Sequence, residues 1–253
     1  MTTHSAFRRV AQLAAACAVV ALAHNVQAQT VRLHGATSLE KIMVAQKAAL
    51  ESQTGLKLEI VGNGAGRGLV DLSGGQADIA MIGGSLKGVA AVMNKEKAGS
   101  VDASGMKEIP LTSVKLVTIA HPGAGVKSLT EAQLRDVLTG KTANWKDVGG
   151  PDLPIKVVLP FAGDGGRITT QETLLGGAAF ATGAVVRNSA KDICVVVAQL
   201  PGTCAVLSVK NVEGNVATVA MEKELAMPLQ FVVKGEPAGD IKKVVDAAKA
   251  LIK

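Results

Sequence analysis

Short apolar runs alternate with longer amphipathic segments along most of this 253-residue chain. The segment 56–62, LKLEIVG, has an apolar residue at every second position over its first five residues, which is typical of a half-buried strand. The segment 240–253, DIKKVVDAAKALIK, has apolar residues at helical spacing, which predicts an amphipathic helix. Strands that alternate with helices in this way favour an α/β fold with a largely parallel sheet.

The same two patterns predict the remaining elements. Further strands are expected in TVRLHGA (30–36), ADIAMIGG (77–84), VKLVTIAHP (114–122), IKVVLPFAG (155–163), CAVLSV (204–209) and LQFVVKG (229–235). Further helices are expected in 38–55, with Ser38 as N-cap and Gly55 as C-cap, and in 128–140 and 193–202. No internal repeat or low-complexity segment interrupts this order.

The first 28 residues have the features of a secretory signal peptide. Arg8 and Arg9 form a basic start, 10–23 is an apolar run, and 26–28 is a small-x-small cleavage site. The apolar run is shorter than the roughly 20 residues that a membrane-spanning helix needs. We therefore expect export to the periplasm and a mature chain that starts near residue 29, with lipid attachment at Cys17 as the alternative.

Charge and aromatic content narrow the class of partner. Without the two arginines of the leader, the chain carries 25 basic and 21 acidic residues. It has one Trp, four Phe and no Tyr, and it has no basic run. Nucleic-acid binding is therefore not expected, because neither the charge nor the stacking groups are present. A mild positive excess suits a small anionic ligand better.

Two cysteines remain once the leader is removed. Cys194 and Cys204 are an even pair in a chain predicted to enter an oxidising compartment, and nine residues with a Pro-Gly bend separate them. A disulfide between them is the first prediction, and two buried free thiols are the alternative. A metal site is not expected, because two thiolates without a nearby His supply half a ligand set.

The segment 61–86, VGNGAGRGLVDLSGGQADIAMIGGSL, is rich in glycine at the ends of two predicted strands. Bare backbone at a helix start lets N–H groups approach an anion, so an anion cradle is one interpretation. The segment lacks the Lys-Ser or Lys-Thr of a P-loop, and its glycine spacing does not match a dinucleotide fold. The alternative is that each glycine only permits a tight turn.

The order of several motifs resembles the phosphate-binding-protein branch of the periplasmic solute-binding proteins, the receptors of ABC importers. The most specific piece is 134–150, LRDVLTGKTANWKDVGG, and the likeness covers nearly the whole mature chain. This resemblance implies a bilobal α/β fold of class II with two crossover segments and a ligand cleft. Lobe one would comprise 29–117 and 209–253, and lobe two 118–208.

The resemblance also implies four ligand loops. They begin near residues 35, 63, 83 and 163, and the first three precede predicted helices or follow strands of lobe one. The residues implied for ligand contact are Ala36, Thr37, Ser38, Asn63, Gly64, Arg67, Gly84, Ser85, Asp164, Gly165, Gly166 and Arg167. Arg167 is the strongest candidate among them, because a guanidinium can bind two oxyanion oxygens at once.

The fourth loop departs from the family pattern. Asp164 stands where relatives have Ser, and Gly166 where they have Thr. A buried carboxylate would oppose a fully ionised anion unless it is paired. Asp164 would therefore accept a proton-bearing oxygen of the ligand or pair with Arg167, or else the ligand is an organic molecule with a hydroxyl or amine.

Catalysis is not predicted. The mature chain has only His34 and His121, and neither lies in a nucleophile motif, so structural roles are expected for both. Trp145 is expected to pack in the core. The sequence thus predicts a monomeric receptor without cofactor or metal that captures a small oxyanion, phosphate or similar, and delivers it to an inner-membrane ABC permease. The alternative is a stand-alone secreted or sensory module that binds an organic acid or has a degenerate cleft.

Overall fold

A computed structural model of the chain describes residues 29–252. The predicted signal peptide and the lipidation alternative at Cys17 lie outside the described residues. In 29–252, no helix is both long enough and apolar enough to cross a membrane.

Strands and helices alternate through most of the described chain. The strands are β1 (Thr30–Gly35), β2 (Lys57–Val61), β3 (Ile79–Gly83), β4 (Met106–Ala120), β5 (Ser128–Leu129), β6 (Lys156–Pro160), β7 (Val185–Arg187), β8 (Thr203–Ser208), β9 (Ala217–Met221) and β10 (Leu225–Lys234). The α-helices are α1 (Thr37–Thr54), α2 (Ala65–Ser73), α3 (Leu86–Glu96), α4 (Glu131–Thr139), α5 (Gly165–Thr173), α6 (Ala190–Gln199) and α7 (Gly239–Leu251). Short 3-10 helices cover Pro122–Ala124, Trp145–Val148 and Val209–Asn211.

The sheet consists of two halves joined by its longest strand. Its main path runs in the order β2, β1, β3, β10, β4, β8, β6, β7. Pairing is parallel within β2, β1 and β3 and within β8, β6 and β7, whereas β10 and β4 run antiparallel to their neighbours. The predicted α/β class is confirmed, with antiparallel strands at the centre of the sheet.

Strand β4 passes from one half to the other. Its residues 106–116 pair with β10, and 116–120 pair with β8. Strand β9 pairs with 118–120 of β4 and with β5, so it lies in the second half although it belongs to the segment 209–253. The chain therefore crosses between halves along β4 and again between β8 and β10. The residue boundaries of the two lobes stay a prediction.

Helix α1 begins earlier than predicted. Its N-cap is Ala36, which makes no side-chain capping bond, and Ser38 lies inside the first turn. Gly55 is the predicted C-cap, with φ 70°, and its N–H bonds the Glu51 carbonyl. The start of α1 therefore has backbone N–H groups that no capping side chain covers.

The predicted disulfide is wrong, since Cys194 and Cys204 are both buried free thiols. Cys204 packs in the larger apolar cluster, whereas Cys194 on α6 packs in a smaller cluster with Ala205 and Leu207 of β8. Successive residues of a strand face opposite sides of the sheet, so Cys204 points away from α6. The alternative of two buried thiols therefore holds.

Trp145 packs in the core as predicted. Its side chain is fully buried in the larger apolar cluster, and its indole Nε1 donates to the Gly202 carbonyl at 3.0 Å. The segment 134–150, which carries the most specific part of the resemblance, thus holds the residue that precedes β8 in place through Trp145.

Candidate functional site

A cavity of about 390 Å³ lies where several helix starts converge. Nine of the predicted ligand residues line it, namely Ala36, Thr37, Ser38, Asn63, Gly64, Arg67, Asp164, Gly165 and Gly166. These residues belong to the starts of α1, α2 and α5, which follow β1, β2 and β6. The positive ends of three helices, from both halves of the sheet, thus point toward one volume, which suits an anion.

The start of α1 presents two hydroxyl groups to the cavity. Thr37 Oγ1 and Ser38 Oγ both accept hydrogen bonds from the Asn211 side-chain nitrogen, at 3.0 and 3.1 Å. Each hydroxyl group therefore keeps its own hydrogen for donation. Asn211 follows β8 in the second crossover, so this crossover orients the first ligand loop.

The start of α2 contributes a cation, Arg67, to the cavity lining. Gly64 has φ 97°, a conformation that favours glycine, and its N–H bonds the Gly35 carbonyl at 2.8 Å. The exposed Arg67 guanidinium lies 4.9 Å from the centre of the Phe161 ring, which belongs to the other half of the molecule. This cation–π contact holds Arg67 at the rim of the cavity.

Asp164 is the N-cap of α5 and lines the cavity. One of its carboxylate oxygens accepts from the Arg167 backbone N–H at 3.0 Å. Burial raises the pKa of Asp164, while hydrogen bonds from the backbone N–H groups of Arg167 and Gly166 oppose that increase. A carboxylate therefore already occupies amide groups of α5 that would otherwise be open to an anion.

Three predicted ligand residues do not line the cavity. The Arg167 guanidinium donates to the Pro160 carbonyl at 2.8 Å and stacks over Phe180. Burial lowers the pKa of Arg167. Gly84 and Ser85 lie at the start of α3, where the Ser85 hydroxyl caps the helix by accepting from the Gly88 N–H at 3.0 Å.

Ser85 also connects the two halves. Its hydroxyl lies 3.2 and 3.3 Å from the two carboxylate oxygens of Glu172, on α5. In the third predicted ligand loop, Ser85 thus contacts protein groups, whereas Gly83 at the start of the loop lines the cavity.

Glycines bring the two halves into backbone contact, in what we call the interlobe glycine seam. Its members are Gly64, Gly66, Gly84, Gly163 and Gly165. The Gly66 N–H donates to the Gly163 carbonyl at 2.9 Å, and a Cβ on Gly165 would overlap the Gly83 carbonyl oxygen. The glycines of 61–86 therefore serve close approach between the halves as well as the tight turn at Gly64.

The cavity is also lined by residues outside the set predicted for ligand contact, although Gly62, Ala65 and Gly83 among them lie in the glycine-rich segment 61–86. They are Glu40, Lys41, Gly62, Ala65, Gly83, Pro160, Phe161, Asn188, Ser189, Ala190, Lys191, Leu207, Ser208, Asn211, Glu213 and Met227. Ser189 caps α6 by accepting from the Asp192 N–H, and the Ser-x-x-Asp spacing could have predicted a fourth helix start. The lining includes two basic residues, Lys41 and Lys191, and two further acidic residues, Glu40 and Glu213, so it carries both signs of charge.

The sequence matches the PBP (periplasmic-binding-protein) superfamily domain over residues 21–251. It is 28% identical over 167 residues to the phosphate-binding protein PstS of Bacillus subtilis (strain 168), an alignment that covers 66% of this chain and 52% of that protein. This chain therefore spans about half the length of that relative.

Two solved structures share the fold. One, from Clostridium perfringens, is described as a phosphate ABC transporter substrate-binding protein with bound phosphate. It is 26% identical with a TM-score of 0.73, over 87% of this chain and 92% of that chain. An ABC-type phosphate transport receptor from Vibrio cholerae is 23% identical with a TM-score of 0.66, over 87% and 94% of the two chains. The chain belongs to the periplasmic-binding-protein superfamily and has the bilobal α/β fold of class II.

Proposed function

We propose that this protein is a periplasmic receptor that captures phosphate between its two lobes and delivers it to an ABC permease. The observation that carries the proposal is the convergence of three helix starts, from both halves of the sheet, on one cavity. A ligand that contacts both lobes stabilises the closed arrangement, because it binds that arrangement better than an open one. The relatives that bind phosphate support this choice of ligand.

The proposed donors are backbone N–H groups at the starts of α1 and α2, the hydroxyl groups of Thr37 and Ser38, and the Arg67 guanidinium. Asp164 is the proposed acceptor, which would take a hydrogen bond from a protonated phosphate oxygen. Arg67 takes the place that the sequence analysis gave to Arg167, because the Arg167 guanidinium contacts Pro160 and Phe180. In this proposal the protein binds its ligand unchanged, as a monomer, and catalyses no reaction.

A thermal-shift panel of phosphate, sulfate, methylphosphonate and acetate tests the ligand class. We expect phosphate to give the largest rise in Tm, since a ligand that binds only the folded state stabilises it by mass action. Arg67→Ala should weaken phosphate binding by about tenfold, from the loss of a charge-assisted hydrogen bond. Arg187→Ala is the matched control, because the Arg187 guanidinium donates to the Val186 carbonyl at 2.9 Å and Arg187 is not among the residues that line the cavity in 29–252.

The same panel tests the fourth loop. Asp164→Ser replaces the proposed acceptor by a hydroxyl group that can also donate, and we expect it to reduce the preference for phosphate over sulfate, because sulfate has no hydrogen to donate. No Tm shift with any oxyanion would contradict the proposal.

The size and charge of the cavity favour one second candidate. A volume of about 390 Å³ falls in the range of pockets for organic ligands, and acidic residues line it together with basic ones. An organic acid with a hydroxyl or amine group would use both. A larger Tm shift with such an acid than with phosphate would favour this candidate, either as an importer receptor or as a stand-alone sensory module.

A further inference from the structure

One methionine lies against the interlobe glycine seam. The sulfur of Met93, on α3, is so close to Gly66 and Gly163 that a Cβ on either glycine would overlap it. Gly66 belongs to α2, in the same half of the molecule as α3, whereas Gly163 precedes α5 in the other half. The Met93 sulfur therefore lies where the two halves meet.

A hydrogen bond between the halves passes beside this sulfur. The Gly66 N–H donates to the Gly163 carbonyl at 2.9 Å, and these are the two glycines that the sulfur lies against. A thioether is only a weak acceptor, so it does not compete for this N–H. The missing Cβ atoms leave an irregular gap, which a flexible, unbranched side chain fills well. Met93 thus packs beside the interlobe bond without disturbing it.

The backbone of Met93 is held in place at the end of α3. Its carbonyl accepts from the Lys97 N–H at 2.9 Å and from the Ser100 hydroxyl at 3.0 Å. The side chain packs against the larger apolar cluster but is only partly buried. The sulfur is therefore directed to the seam by a fixed backbone, while a small solute can still reach the side chain.

The other sulfur-containing side chains differ from Met93 in exposure or in place. Three methionines in 29–252 are partly exposed, namely Met93, Met106 and Met221. The others in that range are at most 3% exposed, namely Met43, Met81 and Met227. Met106 begins β4 and Met221 ends β9, and neither lines the cavity. Both cysteines are buried. Among the described sulfur side chains, Met93 is thus the partly exposed one that lies at the seam.

We propose that Met93 is an oxidation site for peroxides, and that its sulfoxide holds the two lobes apart. The sulfur takes one oxygen atom from hydrogen peroxide, whose O–O bond breaks and whose other oxygen leaves as water with both hydrogens. The sulfur is oxidised by two electrons, and the peroxide is reduced by two. The inference rests on the proposed function, because it concerns closure over phosphate.

The sulfoxide disturbs the seam because its oxygen is a polar acceptor. The Gly66 N–H beside it is already bonded to the Gly163 carbonyl. In the closed arrangement the new oxygen either takes this N–H from the carbonyl or stays unpaired, and both outcomes cost free energy. In an open arrangement water reaches the sulfoxide and removes this cost. Oxidation of Met93 therefore favours the open form, and methionine sulfoxide reductases with a dithiol as electron donor reverse it.

The test is phosphate calorimetry on the chain starting at Gln29, before and after treatment with hydrogen peroxide. Mass spectrometry follows sulfoxide formation at each methionine. We expect the wild-type Kd to rise about tenfold once Met93 is oxidised, as for one polar group buried without a partner, and to recover after treatment with the reductases. Met93→Leu has a similar volume and no sulfur, so peroxide should leave its Kd unchanged. Met106→Leu and Met221→Leu are the matched controls and should respond as wild type does.

Two further measurements separate a switch from incidental damage. Saturating phosphate should slow the oxidation of Met93 and not that of Met106 or Met221, because closure encloses only the first. Met93→Gln, which carries a polar group without any oxidant, should bind phosphate about tenfold more weakly than Met93→Leu.

The inference would be overturned by an unchanged Kd after complete oxidation of Met93, or by an equal loss of affinity in peroxide-treated Met93→Leu. Absence of phosphate binding by the untreated wild type would instead count against the proposed function. Hydrogen exchange of the Gly66 amide then tests the switch without ligand. Peroxide should accelerate this exchange in wild type and not in Met93→Leu, and equal exchange before and after treatment of wild type would refute the role of Met93.

Discussion

Cys194 and Cys204 are separated by the sheet itself. Burial raises the pKa of the Cys204 thiol to about 12, and it also raises the pKa of Cys194. Both thiols therefore stay protonated and enclosed at neutral pH, and the thiolate, which is the reactive form, is scarce.

We predict that the folded chain starting at Gln29 reacts slowly with Ellman's reagent at pH 8, and that both thiols react at once after unfolding without any reductant. If the unfolded chain reacted with the reagent at two thiols only after a reductant had been added, a disulfide would be present.

The raised pKa of Cys204 predicts a pH dependence of the folding stability. The stability that the buried thiol confers is complete below about pH 9 and is lost as the pH rises toward about 12. Urea titrations across that pH range measure the loss.

The sequence identified Cys194 and Cys204 as the cysteines to consider, but it did not show which side of the sheet each side chain faces. The alternation along β8 shows that Cys204 and Ala205 face opposite sides of the sheet, but it does not show which side α6 covers. The same limit applies to Arg167, where position at a helix start predicted a ligand contact and the side chain turned to Pro160 instead. Side-chain direction depends on partners that are distant in the sequence.

Helix starts are the elements from which the site is built. The family resemblance implied ligand loops just before α1, α2 and α5, where glycine and hydroxyl residues follow recognisable strands. A helix was predicted over 193–202, but neither the start of α6 nor Asn211 was predicted to line the cavity. Among these helix starts, α5 is the one whose cap is a partly buried carboxylate, and the raised pKa of Asp164 means that its ionised form carries a cost. A raised pKa in the folded state means that stability is lost as pH rises through that pKa.

We predict that Asp164→Asn increases the stability of the ligand-free protein at pH 7 by about 1 kcal/mol, because Asn can still cap the helix and carries no buried charge. The difference should vanish below about pH 4, where an ordinary Asp is protonated. Urea unfolding at both pH values measures it. Asp192→Asn, in the first turn of α6 and exposed, is the control and should change little. If Asp164→Asn lowered the free energy of unfolding at pH 7, the ionised Asp164 carboxylate would not be destabilising, and the prediction would be wrong.

At the scale of the whole molecule, the two halves contact each other along the interlobe glycine seam. One wall of the cleft meets the other through main-chain atoms, with the Gly66 N–H bonded to the Gly163 carbonyl. Helix α5 continues this contact, since Ile168 and Glu172 lie against Gly88 of α3. Closure over a ligand therefore requires that no side chain stand between the lobes on this side.

We predict that Gly165→Ala keeps the lobes apart, because its Cβ would overlap the Gly83 carbonyl oxygen. Small-angle scattering should show a larger radius of gyration with saturating phosphate than for wild type, and phosphate affinity should fall by about tenfold or more, as overpacking at a tight contact costs about 1–3 kcal/mol. Gly183→Ala is the control, since nothing lies within 4 Å of a Cβ there and its φ is not positive. If Gly165→Ala gave the same scattering curve as wild type, close packing at the interlobe glycine seam would not be needed for closure.

The seam also limits how such a receptor can change its ligand during evolution or by engineering. At the seam the two backbones are in contact, and any side chain larger than hydrogen would disrupt this contact. The seam positions therefore cannot be changed to side chains that would recognise a different ligand. New specificity has to come from the opposite wall, where Asn188, Lys191 and Glu213 carry side chains that can be exchanged without wedging the molecule open. A library aimed at a new solute is best confined to those positions.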